Sequence, residues 1–196
     1  MPITETDIVN RALVMIGQET VINLTGDSRA VRFSRLVLPQ VRDELLRSHP
    51  WKFATRRVGL PASATPPAWG AQFSYPLPPD CLRVLGVQNT EDAGWRREGN
   101  AILTDLTAPL NVIYIASITD PNEWNAHFQA CFVARLAMDL AAGVAQSGTM
   151  REQFATELRR LMREARSMDA MEASSERFDA DDLIDARRVS SEWWWR

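Results

Sequence analysis

Apolar side chains near the start of the chain recur every three or four positions, and that spacing predicts helices. Between Thr4 and Ile16 the residues Ile8, Val9, Ala12, Leu13 and Ile16 share one helical face; Thr4 is placed to cap it, Asp7 follows three positions on, and Gly17 ends it. A second helix is signalled by Asp27 or Ser28 as cap and by Ala30, Phe33, Val37, Val41 and Leu45 along its inner face. Pro39 lies inside this run, so the helix either bends there or is two shorter helices that meet.

From Phe53 the period shortens toward two. Strands are expected at Phe53–Leu60, Phe73–Leu77, Leu82–Val87, around Trp95, at Ala101–Leu103 and at Leu110–Ser117. Turn-forming residues at Pro61–Pro67, Pro76–Asp80, Glu91–Gly94, Gly99-Asn100 and Thr107–Pro109 separate them, which favours an antiparallel meander over alternating strands and helices. The helical period then returns. Asp120 as cap, Pro121 at the first helical position and Glu123 beyond it open a third helix. Trp124, Phe128, Cys131, Phe132, Leu136, Ala137, Leu140, Ala141 and Val144 form its wide apolar face, and Gly148 stops it. Thr149 with Glu152 reads as a capping box for a fourth helix, whose narrow stripe is Phe154, Leu158, Leu161, Ala165 and Met168. At about 25 residues it would be roughly 37 Å long.

Beyond Ala173 the apolar pattern stops, and Ser174, Ser175, Asp179, Asp181, Asp182, Asp185, Arg187 and Arg188 lead to Trp193-Trp194-Trp195-Arg196. The expected fold class is therefore α+β: mainly an α-helical bundle with an inserted small antiparallel β-sheet and an extended C-terminal arm. The expected divisions are 1–51 for the N-terminal helical part, 52–119 for the β insertion, 120–173 for the long helical pair and 174–196 for the arm.

Composition narrows the function. With 45% hydrophobic and 24% charged residues the 196-residue chain can bury a real core, and a net charge of -3 offers nucleic acid or anionic lipid no attractive field. Lys52 is the only lysine among the cations, a bias that fits either a G- and C-rich genome or a need for planar interface contacts. Glu5, Asp7 and Arg11 interrupt the first apolar stretch, so no signal peptide is read and synthesis inside the cell is expected. Arg135 and Asp139 break the longest apolar segment, Phe128 to Val144, so no membrane span is expected.

Covalent chemistry has few candidates. Asp179, Asp181, Asp182 and Asp185 sit in the polar arm rather than a cleft. His49 and His127 are the only histidines and neither has a ligand-spaced partner; His127 is expected to pack on the face of Trp124 and Cys131. Cys131 falls in an apolar stripe, where a thiol behaves as a small hydrophobe. No phosphate-cradling glycine loop or Gly-x-Ser-x-Gly is present, so no enzyme, cofactor or metal is expected. Trp51, Trp69, Trp95 and Trp124 are assigned to core and turn packing. Three consecutive indoles at Trp193, Trp194 and Trp195 need cover; partner docking, with Arg187, Arg188 and Arg196 beside them, is the leading reading of the arm, and folding back onto this chain is the other.

Several segments together resemble the tail tubular protein A family, the head-to-tail connector adaptors of short-tailed bacteriophages. They are Ala12-Leu13-Val14-Met15-Ile16-Gly17, the run Val41 to Ala54 containing His49-Pro50-Trp51, Tyr75-Pro-Leu-Pro-Pro-Asp-Cys-Leu-Arg-Val84, Trp95 with Glu98-Gly99, Val112-Ile-Tyr-Ile115, and Asp120 with Trp124 and Phe128. The resemblance spans about residues 4–172. It implies a virion subunit of a ring, twelve copies in that family, set between the portal protein and the tail nozzle protein, with double-stranded DNA passing through the lumen unread. It also implies that the arm embraces the portal; naming Trp193, Trp194, Trp195 and Arg196 as anchors follows from side-chain chemistry. Two other readings are a tail-associated glycan hydrolase, with tryptophans stacked on sugar, and an interaction module of another assembly.

Overall fold

The computed structural model describes residues 2–88 and 94–172. Its architecture is α+β. Two helices, α1 (Glu5–Met15) and α2 (Arg29–Ser48), precede six strands in the chain, β1 (Thr55–Leu60), β2 (Phe73–Pro76), β3 (Cys81–Val87), β4 (Trp95–Glu98), β5 (Ala101–Thr104) and β6 (Leu110–Ala116), and two more, α3 (Ala126–Gly143) and α4 (Gly148–Met171), follow them. Residues 174–196, the expected arm, lie outside the described residues.

Local chemistry sets the helix ends. Thr4 and Asp7 form the reciprocal capping box of α1: the Asp7 amide donates to Thr4 Oγ1 and the Thr4 amide to Asp7 Oδ2. Hydrogen bonds from Thr4, its hydroxyl first and then its amide, hold the Asp7 carboxyl below its usual range. Ser28, one of the two candidate caps, accepts from the Val31 amide, and α2 then runs as one helix through Pro39. Its buried row is Val31, Ser34, Leu38, Val41, Leu45 and Leu46. The expected row of Ala30, Phe33 and Val37 flanks it half-buried, because α2 must face both α3 and the sheet rather than one neighbour. Phe33 lies over the end of α3 at Gly143, where a Cβ would stand 2.2 Å from its ring.

Two expected helix starts shift. Asp120 caps only the single 3-10 turn Pro121–Glu123, and α3 is capped instead by Asn125, whose Oδ1 accepts from the Phe128 amide at 2.7 Å. Trp124 stays extended between them, which lets its indole N–H donate to the Ile118 carbonyl at 3.0 Å. Likewise α4 is capped by Ser147 rather than Thr149, and Gly148 opens that helix instead of stopping α3. Gln146, at φ 54°, reverses the chain just before it.

All strand pairs are antiparallel, yet they form two three-stranded sheets in the orders β1-β6-β3 and β2-β5-β4 rather than one meander. Only β4 and β5 pair as consecutive neighbours, around the Gly99-Asn100 turn with Gly99 at φ 56°. The chain enters β1 from a 3-10 turn at Lys52–Ala54, so Phe53 is a core residue before the strand rather than part of it.

One connected core runs through helices and sheets. Its aromatic centre is Phe128, fully buried, whose ring centre lies 5.2 Å from that of Trp51, 5.1 Å from Phe53 and 5.3 Å from Trp124, with Phe132 at 6.3 Å. Replacing Phe128 with Ala removes one side of all four contacts. The expected loss is about 3–5 kcal/mol, read as a lower urea midpoint with a folded baseline preserved.

Candidate interaction surfaces and reactive groups

Among the described residues, both thiols and both phenols are taken up by packing. Cys131 sits fully buried on the inner face of α3, and burial pushes its thiol up to about 11; Cys81, at the start of β3, is buried and raised for the same reason. Tyr75 is fully buried with its hydroxyl donating to the Leu106 carbonyl at 2.6 Å, and the Tyr114 hydroxyl faces Asp80 at 3.4 Å. Burial raises both phenols.

The two histidines part company. His127 is exposed rather than packed on the face of Trp124 and Cys131. With α3 starting at Ala126, Trp124 is outside the helix, and His127 lies in the first turn facing solvent. His49 instead meets a residue that periodicity did not single out: its Nε2–H donates to Asp169 Oδ2 at 3.0 Å, while Asp169 Oδ1 accepts the Lys52 amide at 3.0 Å. Among the described residues no hydroxyl or thiol is hydrogen-bonded to His49, so the pair has no nucleophile to activate. Among those residues, no three His, Cys, Asp or Glu side chains cluster as a metal site. No described helix is long and apolar enough to cross a membrane.

The tryptophans also divide. Trp51 and Trp124 are buried, and Trp51 donates its indole N–H to the Leu45 carbonyl at 2.9 Å. Trp95 is half-buried on the smaller sheet. Trp69 departs from the expected turn packing: it is 82% exposed in the loop after Pro66-Pro67, with Arg96 across the adjoining hollow. Trp193, Trp194, Trp195, Arg196, Arg187 and Arg188 lie outside the described residues, as do Asp179, Asp181, Asp182 and Asp185.

Two concave surfaces stand out. A groove of about 940 Å³ runs between α1 and α4 over a floor from α3, with Val14, Ala130, Val133 and Leu161 among its apolar walls. A trough of about 460 Å³ crosses the β1-β6-β3 sheet where Gly59 and Gly86 leave the backbone bare beside Asn111 and Ile113. Among the described residues, neither gathers a nucleophile with a base. The periodic pattern concealed the groove, because Ala130 and Val133 read as ordinary helix residues until α1 and α4 are seen to stand apart above them.

No protein-family model matches the chain, and no curated protein matches it either.

At pH 8 a thiol with a pKa near 11 is thiolate about two hundred times less often than a free cysteine. Ellman's reagent should therefore find almost no reactive thiol in the folded protein over minutes and both cysteines after addition of guanidinium. Rapid native labelling of Cys131 would contradict its burial.

Proposed function

We propose that the chain is a structural head-to-tail adaptor of a short-tailed bacteriophage, one subunit of a ring between the portal and the tail nozzle through which DNA passes. One observation carries the reading. The segments resembling the adaptor family meet at one place: Trp51 and Phe53 from one segment and Trp124 and Phe128 from another form the central aromatic cluster. Others brace it, since Tyr75 is fully buried and Val112-Ile-Tyr-Ile115 lies in the middle strand of the larger sheet. A resemblance carried by residues that fit one another in the core supports a shared fold as part of this hypothesis, and with it the family's docking role.

The thiols are buried, and His49 is engaged by Asp169, which agrees with a protein that works through surfaces. In this reading residues 174–196 grip the portal, with Trp193, Trp194, Trp195 and Arg196 as anchors and Arg187 and Arg188 as bidentate donors. Head-to-tail contacts between two different patches of neighbouring subunits close the ring. Many such arms on one ring raise one another's effective concentration, so each contact needs only modest affinity.

Deleting residues 174–196 should leave a folded protein that no longer cosediments with portal rings, because the described core lies wholly within residues 2–172. Changing Trp193, Trp194 and Trp195 together to Ser should weaken portal binding by roughly thirtyfold or more, the effect of losing at least one strong anchor. Undiminished cosedimentation of the deleted protein would refute the assignment.

A further inference from the structure

Asp169 is the one side chain of the last turn and a half of α4 that faces the body of the protein. After Ala165, residues Arg166, Ser167, Met168, Ala170, Met171 and Glu172 are all exposed, whereas Asp169 is 2% exposed. Met168, expected on the apolar stripe, therefore points outward, and a carboxylate takes the inward position. Apolar packing cannot hold this end of the helix, and an unheld helix end frays.

A carboxylate is also a poor choice there for the helix alone. The C-terminal end of a helix carries partial negative charge, so an acid in this region is repelled by it, and the last turn of α4 contains no basic residue to compensate. What retains Asp169 is tertiary: the Lys52 amide and His49 Nε2, each at 3.0 Å and each more than a hundred residues away in sequence. Both partners flank the fully buried Trp51. His49 caps the end of α2 and lies edge-on to the fully buried Trp51, ring centres 4.7 Å apart; Lys52 opens the 3-10 turn that leads into β1.

We infer that Asp169 is a positioning residue, a latch that fastens the end of α4 to the α2–β1 corner and so fixes the position and direction of the helix end at Met171–Glu172. Its value to docking rests on the adaptor reading, in which the segment that follows grips the portal; the latch itself does not depend on that reading.

Hydrogen exchange on the full chain, compared among wild type, D169A, H49A and D169N, tests the device. D169A should speed amide exchange across residues 166–172 by about tenfold or more while α3 exchanges as in wild type. H49A should do so more weakly, since the Lys52 contact survives. D169N should restore most of the protection, because a carboxamide oxygen still accepts the Lys52 amide. Nitroxides at M171C and Q40C should give a narrow distance distribution in the otherwise wild-type chain and a broad one with D169A; both positions are exposed. Should D169A fail to fold, H49A and D169N carry the same comparison.

Unchanged exchange at 166–172, or loosening spread equally over α3, would overturn the latch. Neither measurement involves portal, so an intact latch beside undiminished portal binding by the 174–196 deletion would sink the adaptor reading alone. An adaptor whose D169A variant exchanges like wild type would sink the latch alone.

Discussion

Phe128 has to be covered on every side at once, and its neighbours come from parts of the chain that are far apart. Trp51 and Phe53 arrive from the end of α2, Trp124 and Phe132 from either side of it in sequence, and each pair adds roughly 0.5–1.5 kcal/mol beyond simple burial. That convergence dictates several features that local preference would have placed elsewhere. The 3-10 turn at Lys52–Ala54 delays β1 so that Trp51 and Phe53 can both turn inward. Extended backbone at Trp124 delays α3 so that its ring can lie against Phe128 and Phe132 while its N–H reaches Ile118.

The same convergence separates what the sequence made legible from what it did not. The Thr4–Asp7 box could be read because both partners lie within four residues and nothing distant competes with them. Each of the six strands was legible as a short run between turn-forming residues. Strand order was not, since β6 pairs with β1 across fifty residues or more as well as with β3, and no local pattern encodes that choice. The starts of α3 and α4 were misplaced where one good cap stood near another, Asp120 before Asn125 and Ser147 before Thr149, and the winner was set by the backbone path between helices. Among candidate functional residues, burial of Cys131 followed from its stripe, whereas exposure of Trp69 and His127 did not follow from theirs. Asp169 was hidden because its partners are 117 and 120 positions away.

Polar contacts around the end of α2 extend the aromatic cluster outward. Asp43 accepts from Ser117 Oγ at 3.0 Å, Glu44 pairs with Arg135 at 3.0 Å, and Arg135 pairs also with Asp139. Arg135 is the residue that breaks the longest apolar segment. In the fold it is the half-buried clamp between α2 and α3, retained because two carboxylates meet it. Asp169 makes a further polar tie at this end of α2, and its tie reaches α4.

If the chain is the adaptor proposed above, its specificity comes from where its binding elements are presented. A segment that leaves the body from a fixed point searches a smaller volume than one on a frayed helix, and the effective concentration of its anchors near a partner rises accordingly. A buried carboxylate is a costly means of fixing that point, because an unpaired one is destabilising and a paired one gains little over hydrophobic packing. It has one property that an apolar contact lacks: two directional hydrogen bonds specify an orientation, where a leucine in the same place could settle in several. Placing Asp169 rather than an aliphatic residue at the last inward position of α4 therefore favours defined geometry over added stability, which is the balance that presentation of a docking segment requires.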